Sequence, residues 1–304
     1  MDDTMALLKI EHLRKRFGGQ IVLDDINLEI NKGEILVLIG QSGSGKTVLF
    51  RHIIGLMFPD AGQITLDGEV ISSPVTKLSD FEKYRKKFGI LFQGAALFDS
   101  MNVGENIAFP LREHTELTEA EIIKIVGESL EKVGLKESVK TKMPAELSGG
   151  MRSRVGLARG LVMNPEIMLY DEPTSSLDPI MTDKINDLIV SLRDRLQMTS
   201  IVVTHDLGSA YKIADRIAMI HEGRILFCGA PTEIRKSHNP YIQQFIRGQR
   251  KMYYVAQDEE GYATPFDVRS GAKGRATSES GEATPNSGSS HARQIPGSPD
   301  FSKS

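Results

Sequence analysis

Gly40-Gln41-Ser42-Gly43-Ser44-Gly45-Lys46-Thr47 lies between an apolar run, Ile35-Leu36-Val37-Leu38-Ile39, and Val48 to Ile54, which reads as the opening turns of a helix. Strand, glycine-rich loop and helix form the setting in which GxxxxGK[ST] means a phosphate-binding loop. Glycine lets the backbone turn its N–H groups toward a polyphosphate with no Cβ in the way. The following helix offers unpaired N–H groups and the positive end of its dipole to the same anion. Lys46 can reach the β and γ phosphates, and the Thr47 hydroxyl can ligate Mg²⁺. The stretch implies binding of a nucleoside triphosphate.

The surrounding composition is that of a globular protein. Of 304 residues, 40% are hydrophobic and 25% charged, enough chain for one large domain or two moderate ones. A net charge of −3 gives no electrostatic footprint for nucleic acid. The single cysteine, Cys228, rules out an intrachain disulfide; its apolar neighbours predict a small buried hydrophobe. No apolar run approaches the roughly 20 residues needed to span a bilayer, and Met1 to Met5 lack the form of a signal peptide. The expected location is cytosolic, or on a membrane through a partner.

Working outward, residues 7–30 predict antiparallel strands: Leu7 to Ile10, then Ile21 to Ile30 with period-2 alternation. Gln63 to Leu66 reads as a hairpin strand turning at Asp67-Gly68, Phe81 to Lys87 as a short basic helix, and Gly89 to Phe92 as buried strand. From about 94 to 160 no strand pattern occurs, which predicts an inserted helical subdomain. Within it, Thr118 and Glu121 suggest a capping box, and another helix is expected near Ser148. The α/β rhythm resumes at Ile167 to Asp171, continues through a helix from Ile180 to Leu196 and the strand Ser200 to Thr204, and closes with a hairpin about Glu222-Gly223 and a helix near 241–246. A mainly parallel sheet covered on both faces is expected. Beyond Arg250 two aromatic islands precede a stretch from Ser270 to Ser304 whose composition predicts disorder.

Two further motifs carry chemistry. Asp171-Glu172 ends an apolar run, where one carboxylate can hold Mg²⁺ and its neighbour can take a proton from an attacking water. The bland reading is a helix N-cap pair before Pro173. Leu147-Ser148-Gly149-Gly150 opens a helix and can bind an anion through hydroxyl, backbone N–H and dipole, although Ser is also an ordinary N-cap.

Taken together and in order, the phosphate loop, Leu-Ser-Gly-Gly, Asp-Glu and Thr204-His205-Asp206 resemble the nucleotide-binding subunit of ABC transporters over about residues 7–247. The resemblance implies a P-loop NTPase fold of the ABC ATPase type: a parallel core sheet, an antiparallel β subdomain and a helical subdomain. It also implies a head-to-tail dimer with two ATP molecules sandwiched, the loop of one subunit (Gly40 to Thr47) facing Ser148, Gly149 and Gly150 of the other. By the same resemblance Phe17 stacks on adenine, Gln93 touches Mg²⁺, Glu172 is the general base, His205 contacts the γ phosphate, and Asp178 sits in a dimer-contact loop. Two departures are the Phe at 17, where Tyr is usual, and Met151, where the signature usually has Gln.

Gly89 to Arg112 is similar to the ATPase of MCE-type (Mla-like) phospholipid transport systems, and Met151, Asn239-Pro240-Tyr241 and Pro265-Phe266 agree. That similarity implies an integral permease, an MCE-domain lipid-binding protein, a STAS-domain regulator and a C-terminal extension, here 248–269, that reaches the second subunit. The same ATPase could instead power an importer of amino acids or other small polar solutes. A soluble ABC ATPase of translation or DNA repair would carry tandem cassettes, coiled coils or zinc insertions, and a small-molecule kinase has no use for the Ser-Gly-Gly helix.

Overall fold

A computed structural model describes residues 6–248. The expected tail at 270–304, and the extension from 249 onward, lie outside the described residues.

The central strand β3 (Ile35–Ile39) is buried along its whole length. Successive side chains of a strand point to opposite faces. Ile35, Val37 and Ile39 therefore join one apolar cluster, while Leu36 and Leu38 join another. Around β3 a six-stranded sheet runs in the order β10-β9-β3-β8-β7-β6. It comprises β6 (Phe88–Leu91), β7 (Ile167–Asp171), β8 (Thr199–Val203), β9 (Arg216–His221) and β10 (Arg224–Gly229). All neighbours are parallel except the edge pair β9–β10. Strands buried on both sides explain the unbroken apolar runs in the sequence.

One face is covered by the helix α1 (Lys46–Ile53) and an antiparallel sheet of order β2-β1-β4-β5, made of β1 (Ala6–Phe17), β2 (Gln20–Asn31), β4 (Ala61–Leu66) and β5 (Glu69–Ser72). The other face carries α3 (Val103–His114), α4 (Glu119–Lys132), α5 (Gly149–Leu161), α6 (Pro179–Leu196) and α7 (Leu207–Ile213). Between β6 and β7 every regular element is helical. Helices α4 to α6 begin at side-chain caps: Thr118 with Glu121, Ser148 and Asp178. Such caps satisfy N–H groups that the helix itself leaves unpaired. A short helix α8 (Pro231–Lys236) follows β10, and 240–248 is helical. Among the described residues no helix is long and apolar enough to cross a membrane.

Three details differ from expectation. The first strand runs on to Phe17, past an irregularity at His12 (φ 50°) that masks its alternation. The basic helix at 81–87 is one α turn, α2 (Leu78–Phe81), continued as 3₁₀ helix over Glu82–Lys87. Cys228 is exposed, because β10 is an edge strand and this residue does not face the core.

Candidate active site

The carboxyl ends of β3, β8 and β7 lie side by side, since Leu38 pairs with Val203 and Val203 with Asp171. Ligands of open α/β sheets bind at such strand ends. The glycine-rich loop, His205 and Asp171-Glu172 leave the sheet at this one place.

The loop's geometry depends on its glycines. At Gly40 (φ 154°) a Cβ would stand 2.3 Å from the Ile220 carbonyl oxygen. Gly45 begins α1 in a left-handed conformation (φ 111°), closely covered by Val22 and Leu23 of β2. Lys46 is buried, and its Nζ donates to the carbonyls of Gly40 (2.7 Å) and Gln41 (2.9 Å). Burial lowers its pKa, against the opposing pull of Glu172 and Asp171.

Thr47, Arg51, Phe92 and Asp171 line a cavity of about 310 Å³. The Asp171 carboxyl is raised above the usual range, first by burial and then by the Glu172 charge, while Arg51 and Lys46 work the other way. Glu172 stands beyond the strand in left-handed backbone (φ 48°). That conformation costs a non-glycine residue on the order of 1–3 kcal/mol. Its N–H donates to Val203 O (2.9 Å), and its carbonyl accepts from the Ser175 N–H and hydroxyl. The turn directs the carboxylate to His205, with 2.8 Å between Oε2 and Nδ1. It is not an N-cap pair.

Gln93 joins this group through Ser175, donating from Nε2 to Oγ at 3.4 Å. Phe17 ends β1 with its ring exposed, paired with Gln20 in the hairpin whose other strand covers Gly45. Ser148, Gly149 and Gly150 lie elsewhere: the Ser148 hydroxyl accepts from the Met151 N–H (3.3 Å), and the two glycines abut Leu177 and Met181. Asp178 is in the same neighbourhood, capping α6 by accepting from the Met181 N–H at 2.9 Å. Among the described residues no hydrogen bond links Ser148–Gly150 to the phosphate loop.

Sequence reasoning missed two residues here. Arg51 sits one helical turn beyond Thr47, so it falls on the same face of α1, a spacing that was available to be read. Asp60 accepts from the Arg16 N–H (2.7 Å) and Lys15 Nζ (2.9 Å) and donates its own N–H to Arg14 O (2.9 Å). It therefore holds the strand end that carries Phe17.

The chain as a whole is similar to known proteins. The ABC transporter family matches residues 23–175. A probable ribonucleotide transport ATP-binding protein, mkl, of Mycobacterium leprae is 41% identical over 80% of this chain and 69% of its own length. The intermembrane phospholipid transport system ATP-binding protein MlaF of Haemophilus influenzae is 38% identical, covering 83% of this chain and 96% of its own. The dimeric post-hydrolysis state of the ATP-binding cassette MJ0796, bound to ADP and Pi, superposes with a TM-score of 0.67 at 30% identity, over 74% of this chain and 98% of the other. A phosphate loop, an acidic strand end and a glutamate–histidine contact at one sheet edge are thus joined to family-wide similarity, and the chain belongs to the ABC transporter family as one of its ATP-hydrolysing, ATP-binding subunits.

Proposed function

We propose that two copies of this chain clasp ATP on the cytoplasmic face of a membrane and drive an integral permease that moves phospholipid between membranes. Residues 7–247 form the ATP-binding domain, with a helical subdomain at about 94–160. The observation that carries the reading is the Glu172 carboxylate, held by a strained turn beside the phosphate loop and bonded to His205.

Gly40 to Thr47 cradle the triphosphate, and Lys46 exchanges its two loop carbonyls for phosphate oxygens. Phe17 stacks on adenine, a use that needs an exposed ring face. Glu172 accepts a proton from the attacking water, while His205 orients that carboxylate and reaches the γ phosphate. Thr47 and Asp171 present hard oxygen donors to one cavity, which suits Mg²⁺ sharing its ligands with phosphate and water; Gln93 would complete the set. When bound, the ion neutralises phosphate charge. Ser148, Gly149 and Gly150, which among the described residues make no hydrogen bond to their own loop, serve the partner's nucleotide, with Asp178 at the contact. Hydrolysis removes the contact that favours the closed dimer, which then reopens.

The phospholipid assignment is supported by the MlaF relatives, and it brings MCE-domain and STAS-domain partners. A second reading, import of a polar solute, draws on the mkl relatives named for ribonucleotide transport.

Glu172→Gln of the full chain, saturated with Mg-ATP, should accumulate as a dimer by light scattering while hydrolysis falls about 10²–10⁴-fold. A variant that stays monomeric, even with its membrane partners supplied, overturns the clasp. Affinity capture from native membranes, then reconstitution with the captured permease, separates the cargoes: transfer of a fluorescent phospholipid supports the first reading and ribonucleotide uptake the second.

A further inference from the structure

Directly after Gln93 the chain takes three consecutive left-handed residues: Gly94 (φ 67°), Ala95 (φ 67°) and Ala96 (φ 42°). Glycine adopts this conformation freely, but alanine does so only where its surroundings impose it. The imposing group comes from α5. Arg159 donates from Nη2 to the Ala95 carbonyl (2.7 Å) and from Nη1 to the Ala96 carbonyl (2.9 Å). A planar guanidinium can hold two neighbouring acceptors at once, which an ammonium does far less rigidly. On the same helix, Gly156 lets the Ala95 side chain approach, since a Cβ there would stand 3.0 Å from that of Ala95.

Arg159 has a third neighbour. Its guanidinium lies over the Phe98 ring, 5.7 Å from the centroid. Together with Ala96, Phe98, Phe92 and Phe109 it lines an apolar groove of about 370 Å³. One side chain thus touches the turn behind Gln93, the wall of the groove and the helix that opens with Ser148.

We propose that Arg159 is a positioning residue for Gln93, holding the turn that follows it in its left-handed form. The inference rests on the role proposed above for Gln93. The turn is closed by the Ala95 N–H on the Phe92 carbonyl (2.9 Å) and restrained from α5 by the Arg159 side chain, and loosening that side-chain restraint releases Gln93 from Ser175 without touching the phosphate loop.

The test uses the full-length protein in steady-state hydrolysis and ATP-binding assays on Arg159→Lys, Gln93→Ala and their double variant. Arg159→Lys should lower kcat about tenfold and leave ATP affinity within twofold. In the Gln93→Ala background it should cause no further loss, because the two residues act in series. Ala96→Gly, which removes the alanine strain, should restore at least a third of the kcat lost in Arg159→Lys. The proposal is overturned if Arg159→Lys keeps kcat within twofold, if affinity falls with kcat, if the losses multiply in the double variant, or if Ala96→Gly restores nothing. An Arg159→Lys result that overturns it, in a protein whose Glu172→Gln variant still dimerises with ATP, refutes the restraint alone; absence of that dimer refutes the reading beneath it.

Discussion

His52 shows how much a single side chain is constrained here. It is fully buried on α1, with Nδ1 2.7 Å from Val48 O and no hydrogen-bond partner within 3.5 Å of Nε2 among the described residues. Protonation would place a charge in this buried site. Burial accordingly lowers its pKa and Lys15 lowers it further, while the Val48 and Phe58 carbonyls and Asp60 oppose. The unfolded chain, with an ordinary value near 6.5, binds the proton first. The stability this group contributes is therefore intact above about pH 6.5 and drains away as pH falls toward the folded value. Melting temperature measured from pH 8 to pH 5 should fall less steeply in His52→Gln than in the wild type; identical slopes would clear His52. At this scale the sequence disclosed residues whose meaning is local. Lys46 and Thr47 follow from their loop and Glu172 from its place at the end of an apolar run, whereas His205 was readable only through the family resemblance. The approach of Arg51 to Asp171 was hidden, because its partner is far along the chain and only the sheet order joins them.

Elements were legible wherever their boundaries are made by neighbouring residues. Thr118 and Glu121 do exchange bonds across the first turn of α4, and Ser148 caps α5, because a cap needs only its own turn. The far half of β1 was not legible. Its register shifts near Leu13 and Lys15, and it is held instead by pairing with β2 and β4. Asp60 fastens that half, which yields a prediction about the hairpin. Asp60→Ala should free the strand end at Arg16 and Phe17 and raise the Kd for ATP about three- to tenfold, equivalent to roughly 0.7–1.4 kcal/mol. Affinity for inorganic tripolyphosphate, which has no base to stack, should not change. Equal weakening of both ligands, read by calorimetry, would place the effect in the phosphate loop instead.

Over the whole molecule, the central sheet separates two apolar clusters. Ile53 belongs to the one beneath the antiparallel sheet and Ile189 to the one beneath the helices. Each truncation to alanine should cost about 2–5 kcal/mol. Because the sites share no cluster, the double variant should lose their sum to within about 0.5 kcal/mol in denaturant unfolding; a larger discrepancy would mean that the sheet transmits strain between its faces. This layering was foreseeable from apolar runs alternating with helices, whereas the order of the strands was not, since pairing between distant segments leaves no local mark. Polar ties bind the two sheets together: Arg216 bonds Glu29 O (3.1 Å) and Glu34 (3.0 Å), and Arg224 pairs with Asp24.

The alternation of β3 between its two clusters makes the count of residues from Gly33 to Gly40 inelastic. One added residue before Val37 would reverse every later side chain and push Ile39 into the slot under Ile220, where even a methyl is too large. By contrast, an added residue at the exposed bend of Ser73 to Lys77, around Val75, would merely lengthen a surface excursion. Single-residue insertions at the two places should part cleanly in soluble yield: lost at the first, near wild type at the second.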